Sequence, residues 1–87
     1  MTANIIRNRL AFLNPTKLDI VDESYLHKGH AGNTGGGHFN VTVISEMFLN
    51  KSTMERHRII YSALQDLIPK DIHALSIKAI AQSENLD

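Results

Sequence analysis

The chain has 87 residues, of which 43% are apolar, and its nine basic and nine acidic side chains balance to a formal net charge of zero. This length predicts one small domain over residues 1–87, and the balanced charge provides no net field to attract nucleic acid or an anionic membrane. No apolar run reaches the roughly 20 residues of a membrane span, no export signal is present, and no cysteine can form disulfides, so we expect a cytoplasmic protein.

The first half of the chain predicts a helix followed by two strands. Residues 3–13 carry apolar side chains at helical spacing, and the Asn-Pro pair that follows ends the helix. Alternating apolar and polar side chains predict strands over residues 17–22 and 38–45. The loop between these strands, residues 23–37, contains all five glycines. A connection of this length in a small domain is often functional.

The second half predicts a helix and a final strand. Ser52-Thr53-Met54-Glu55 has the pattern of a capping box, and it begins a helix over about residues 53–68 with His57 on its apolar stripe. Residues 73–80 predict the last strand, with Leu75 and Ile77 on one face. If that strand has begun by His73, then His73 shares the face of Leu75 and Ile77.

The order α-β-β-α-β predicts a small α+β domain in which the helices pack on one face of a three-stranded mixed sheet. The third strand follows a helix, so we expect it to run parallel to one of its neighbours.

Five histidines accompany the complete lack of cysteine. His27, His30 and His38 lie in or beside the glycine-rich loop, His57 lies in the second helix, and His73 begins the last strand. Imidazole is a common metal ligand. If the protein takes part in iron–sulfur chemistry, the sulfur ligands have to come from a partner.

Several segments together resemble the BolA family, in the order and spacing typical of that family. They are Leu18-x-Ile20-x-Asp22-Glu23-Ser24, His38-Phe39-x-Val41, Ser45-x-x-Phe48, Glu55-Arg56-His57-Arg58-x-x-Tyr61 and Ile72-His73-Ala74-Leu75-Ser76-Ile77. One departure is Asn50, where the family usually has glycine. Asparagine tolerates the left-handed conformation better than most residues, so we expect the turn there to be kept.

The resemblance implies a class II KH-like fold, a non-enzymatic role and partnership with a monothiol glutaredoxin. In such pairs a two-iron, two-sulfur cluster is held by the glutaredoxin cysteine, a glutathione thiolate and histidine of the BolA-like protein. The chain alone is therefore expected to bind no cofactor. By motif, His73 is the main cluster ligand, and the loop after Asp22-Glu23-Ser24 supplies the second ligand, here His27 or His30.

The residues alone leave other interpretations open for the histidines. His73 is also consistent with a half-buried packing residue at the end of the sheet. His27 and His30, three apart in a flexible loop, are equally consistent with solvated side chains, and a zinc site of three histidines is a further alternative. We interpret His57 as a core histidine bonded to the backbone, and His38 as a structural or rim residue.

Arg56 and Arg58 project to different sides of the helix and are candidate partner-binding residues, although ordinary surface charge is the simpler interpretation of both. Either could contact a carboxylate, glutathione or a phosphate. The alternative function is a KH-like transcriptional regulator that binds DNA, but the Gly29-His30-Ala31-Gly32 segment lies between strands and no basic stripe is present. Because the sequence has no nucleophile elbow, cysteine nucleophile or paired carboxylates, we do not expect an enzyme.

Overall fold

The computed structural model of the protein describes residues 2–24 and 37–85. Its two helices and three strands follow the predicted order: α1 (Thr2–Arg9), β1 (Lys17–Asp22), β2 (Gly37–Ile44), α2 (Thr53–Leu64) and β3 (Ile72–Ile80). Within these ranges, no helix is long and apolar enough to cross a bilayer.

Both α-helices are shorter than the apolar periodicity predicted, because each ends in a 3₁₀ turn. Ala11–Leu13 follows α1 and Gln65–Leu67 follows α2, so each predicted helix covers an α segment and its 3₁₀ extension. The 3₁₀ turn after α1 ends at Asn14, which adopts the left-handed conformation with a φ of 48°. At the other helix the predicted capping box is confirmed.

The sheet has the order β1-β2-β3 and is mixed, as predicted. β1 and β2 are antiparallel, whereas β2 and β3 are parallel, with Val41 opposite Ile77. The parallel pairing follows from the helix that connects β2 to β3. The start of β2 and the start of β3 therefore lie at the same end of the sheet.

The core lies between the helices and one face of the sheet, because β2 alternates strictly between buried and half-buried side chains from His38 to Val43. The fully or almost fully buried side chains that form this core include Ile6, Leu10, Leu13, Phe39, Val41, Val43, Phe48, Ile60, Leu64 and Ile72. The opposite face of the sheet is mostly polar, with Val21 as an exposed apolar residue on β1. There Asp19, Thr42 and Lys78 occupy neighbouring positions on the three strands.

The prediction of His57 as a core histidine is wrong, because its side chain is only half-buried. The buried positions of α2 are Ile60 and Leu64, which face the sheet. Tyr61, also placed on the apolar stripe by the sequence, is 41% exposed, and its hydroxyl donates to the carbonyl of Leu75 on β3 over 3.4 Å. The apolar stripe of α2 is thus narrower than its sequence suggested.

Candidate functional site

A β-bulge lies at the start of β3 and includes His73. Gly37 of β2 is opposite Ile72, whereas His38 is opposite Ala74, so His73 is the extra residue between two paired positions. The bulge interrupts the alternation of faces: Ile72 is fully buried, His73 and Ala74 are both exposed, and Leu75 is half-buried again. The expectation that His73 shares a face with Leu75 and Ile77 is therefore wrong, although the strand has begun before His73.

His38 and His73 come together at this bulge. Their imidazole rings have centroids 5.3 Å apart and are tilted by 45°. Since Phe39 points into the core, the preceding His38 lies on the opposite face of β2, where it is half-buried. The structure thus places His73 beside a histidine that the sequence indicated only as a structural or rim residue.

The Asp22-Glu23-Ser24 segment fixes the backbone of His38. The amide of Glu23 donates to the carbonyl of His38 over 2.7 Å, and the hydroxyl oxygen of Ser24 accepts from the amide of His38 over 3.0 Å. Asp22 in turn accepts from the amide and the hydroxyl of Ser24, over 2.9 and 2.5 Å. These hydrogen bonds lower the pKa of the Asp22 carboxyl group. The Asp22-Glu23-Ser24 motif thus positions His38, which belongs to the separate His38-Phe39-x-Val41 motif.

His27 and His30 lie outside the described residues, so their role as the second ligand stays a prediction. In the part of the chain that is described, no group of three or more His, Asp or Glu side chains is arranged to hold a metal ion. His38 and His73 offer two imidazole nitrogens, which are suitable ligands for iron or zinc, and further ligands are needed to complete a coordination shell.

The guanidinium of Arg56 is engaged within the protein. It donates to both carboxylate oxygens of Glu84, over 2.8 and 2.9 Å, and also to the carbonyls of Lys51 and Ala79. Its side chain is only 11% exposed. Partner contact by Arg56 stays a prediction, and it requires exchange of these internal bonds. Arg58, by contrast, is exposed on the outer side of α2.

Comparison with known proteins shows a match between residues 10–84 and the family described as BolA-like protein. SufE-like protein 1, chloroplastic/mitochondrial, from Arabidopsis thaliana is 44% identical over 78 residues, which cover 83% of this chain and 21% of that protein. The DNA-binding transcriptional regulator BolA from Escherichia coli (strain K12) is 37% identical over 78 residues, which cover 84% of this chain and 72% of the regulator. The chain thus spans about a fifth of the Arabidopsis relative.

The solved BolA domain of SufE1 from Arabidopsis thaliana has a similar fold. It superposes with a TM-score of 0.82 at 41% identity, covering 94% of this chain and 93% of that domain. The likeness extends over almost all of both chains, so it includes the two helices and the mixed sheet that carries the histidine pair.

Proposed function

This chain belongs to the BolA-like protein family, and we propose that it is a non-enzymatic iron–sulfur partner protein that binds a monothiol glutaredoxin. In the proposed complex, its histidines contribute ligands to a shared two-iron, two-sulfur cluster. The single observation that carries this proposal is the pair of imidazole rings of His38 and His73 at the bulge. The proposal includes a role in iron homeostasis.

The accessibility of His73 supports its role as the principal ligand. The bulge turns His73 away from the core, and its side chain is exposed, so a partner protein can reach it without unfolding the strand. Its neighbour His38 is held at both backbone groups by Glu23 and Ser24. This anchoring fixes the backbone position from which the His38 ring approaches the His73 ring.

The donor chemistry of the chain supports a shared site rather than a self-contained one. Without cysteine, the chain offers no thiolate, and we assign the sulfur ligands to the glutaredoxin cysteine and to glutathione. When bound, the cluster supplies one-electron redox chemistry or transferable iron and sulfur. Replacement of a charged thiolate by neutral imidazole raises the reduction potential of such a cluster, as in Rieske-type centres. In this proposal the histidines of the chain bind and orient the cluster, and they catalyse no step.

The test is reconstitution of the full chain with a cluster-loaded monothiol glutaredoxin and glutathione, followed by visible absorption and circular dichroism. We expect addition of the chain to change the cluster spectrum and His73→Ala to abolish most of that change. His38→Ala is expected to have a smaller effect. His57→Ala is the matched control, since His57 lies half-buried on α2, and should leave the spectrum unchanged.

The same experiment resolves the second ligand. Among His27→Ala and His30→Ala, the variant that alters the spectrum identifies the loop residue that coordinates the cluster. A spectrum of the His73→Ala mixture identical to that of the unsubstituted mixture contradicts the proposal.

Nucleic-acid binding is the second candidate function, favoured by the name of the Escherichia coli relative, a DNA-binding transcriptional regulator. The zero net charge of this chain argues against a large electrostatic contribution to such binding. The salt dependence of affinity for duplex DNA tests it. Direct phosphate contacts make the affinity fall steeply as salt rises. An affinity that is measurable and steeply salt-dependent supports this candidate, whereas the iron–sulfur role requires no such binding.

A further inference from the structure

An open groove of about 800 Å³ lies between the 3₁₀ turn after α1 and the outer side of α2. Phe12, Ile59 and Ala63 form its apolar surface, and Lys51 and Arg58 supply positive charge. The lining includes neither His38 nor His73, so the groove is separate from the histidine pair. Because it is open along the side of a helix rather than enclosed, its shape suits an extended or helical protein segment.

Phe12 gives the groove an exposed aromatic ring. The other two phenylalanines, Phe39 and Phe48, are 4% and 0% exposed, whereas Phe12 is 53% exposed. Next to it, Ile59 and Ala63 are only partly buried against the core. An aromatic ring adjoining aliphatic side chains in a groove presents a continuous apolar area that a partner can cover.

The charged side chains around the groove differ in whether they already have a partner. Arg9 forms two hydrogen bonds with the carboxylate of Asp66, over 2.6 and 2.8 Å. The carboxylate of Glu55 accepts from the backbone amide of Ser52 in the capping box, which lowers the pKa of Glu55. Arg9 therefore links the end of α1 to the 3₁₀ turn after α2, and Glu55 caps the start of α2.

Lys51 and Arg58 differ from them, because neither lies within ion-pair distance of a carboxylate of residues 2–24 or 37–85, although the charges of both help to lower the pKa of Glu55. Both are exposed. Because Lys51 and Arg58 outnumber Glu55, the one carboxylate of the lining, the positive charge beside the apolar surface matches a ligand that combines carboxylates with apolar side chains. A polyanion such as nucleic acid fits less well, since the balanced charge of the chain provides no net field to attract a phosphate backbone.

We propose that this groove binds an acidic amphipathic segment of a partner protein. Apolar side chains of that segment cover Phe12 and Ile59, and its carboxylates pair with Lys51 and Arg58. The interaction is independent of the cluster ligands and therefore does not rest on the proposed iron–sulfur role. It gives the protein a second contact surface on its helical side.

The test uses a displayed library of random dodecapeptides, selected against the full chain, and fluorescence anisotropy of the enriched peptides after synthesis with a fluorescein label. We expect the enriched peptides to combine leucine or phenylalanine with aspartate or glutamate. Arg58→Glu and Phe12→Ser should each weaken binding roughly tenfold or more. Lys78→Glu makes the same charge change as Arg58→Glu but on the polar face of the sheet, and it should change affinity by less than about twofold.

Because Phe12 and Arg58 are exposed, both variants should retain the thermal unfolding transition of the unsubstituted chain, which circular dichroism verifies. His73→Ala should bind the peptides normally, so failure of the iron–sulfur proposal is distinguishable from failure of this one. The proposal is overturned if no peptide is enriched, if the enriched peptides lack acidic residues, or if Lys78→Glu weakens binding as much as Arg58→Glu.

Two other occupants of the groove are also outcomes of this test. If light scattering shows a dimer of the chain and Phe12→Ser dissociates that dimer, the groove binds a second copy of the chain. Salt-sensitive binding of a single-stranded oligonucleotide that Arg58→Glu abolishes assigns it to nucleic acid. Either result overturns the proposed peptide interaction.

Discussion

Arg56 at the start of α2 and Glu84 in the turn after β3 are joined by two parallel hydrogen bonds, Nη1 to Oε1 over 2.8 Å and Nη2 to Oε2 over 2.9 Å. The same guanidinium lies 6.0 Å from the centre of the Phe48 ring and donates to the carbonyl of Ala79. Two regions that are distant in sequence, residues 48–56 and residues 79–84, therefore meet at one side chain. We conclude that Arg56 fastens the segment after the sheet to the second helix.

The first prediction concerns the pH dependence of this ion pair. Hydrogen bonds from Arg56 lower the pKa of Glu84 from its ordinary value of 4.5 to about 2. Because the folded-state pKa is below the unfolded-state value, the ionised carboxylate stabilises the fold. This contribution is complete above about pH 4.5 and is lost as the pH falls towards 2. We therefore expect Glu84→Gln to lower the free energy of unfolding at neutral pH, and the difference to vanish in acid.

Urea unfolding of both proteins across this pH range measures the effect. Asp19→Asn is the control, because it removes a carboxylate whose exposed ion pair with Lys17 spans 3.5 Å, and exposed pairs contribute little. A difference between the unsubstituted chain and Glu84→Gln that stays constant down to about pH 2 contradicts the assignment.

The second prediction concerns Ser45, the buried polar residue that follows β2. Its hydroxyl donates to the carbonyl of Leu13 and accepts from the amide of Met47 over 3.2 Å. Ser45→Ala removes both bonds from a position with no access to water, and it should lower the free energy of unfolding by about 1–3 kcal/mol. Chemical denaturation measures this loss. Ser62→Ala, exposed on α2, should change stability by less than about 0.5 kcal/mol, and equal losses at both sites count against the buried hydrogen bonds.

Signals that are local in sequence predicted most of the fold. The capping box at Ser52 and Glu55 is a pattern of four residues, and alternation along residues 38–43 reports which side chains face the core. The parallel pairing of the last strand followed from the helix before it. Each of these features depends on neighbouring residues or on connection length, which the sequence displays directly.

Features that depend on register between distant strands could not be predicted in the same way. The bulge at His73 arises from the pairing of β3 with β2, and the alternation of Leu75 and Ile77 carries no sign of it. The approach of His38 to His73 has the same origin. The pattern of a single strand shows which face a residue occupies, but not which residue of the adjacent strand lies beside it. The pairing of Arg56 with Glu84, which are 28 residues apart, likewise depends on tertiary contact.

The third prediction concerns Asn50, which has a φ of 65° in the turn before α2. The left-handed conformation is unfavourable for residues with a Cβ atom, and asparagine tolerates it better than alanine. Asn50→Ala should therefore lower the free energy of unfolding by about 1 kcal/mol, as measured by thermal or urea unfolding. Asn50→Gly is the matched substitution, because glycine adopts this φ without steric cost, and it should be close to neutral. A larger loss for glycine than for alanine means that the Asn50 side chain, rather than the backbone, stabilises the turn.

The fourth prediction concerns Gly37, the first residue of β2 and the position opposite Ile72 at the bulge. A Cβ atom there would lie 2.3 Å from Cε2 and 2.8 Å from Cζ of the Phe39 ring, which is only 4% exposed and has little room to move. Gly37→Ala should therefore lower the free energy of unfolding by about 1–3 kcal/mol through overpacking. A double-mutant cycle with Phe39→Leu isolates the cause, because the smaller side chain relieves the collision. Gly37→Ala should cost less in the Phe39→Leu background, and an equal cost in both backgrounds means that the Phe39 ring is not what requires glycine at this position.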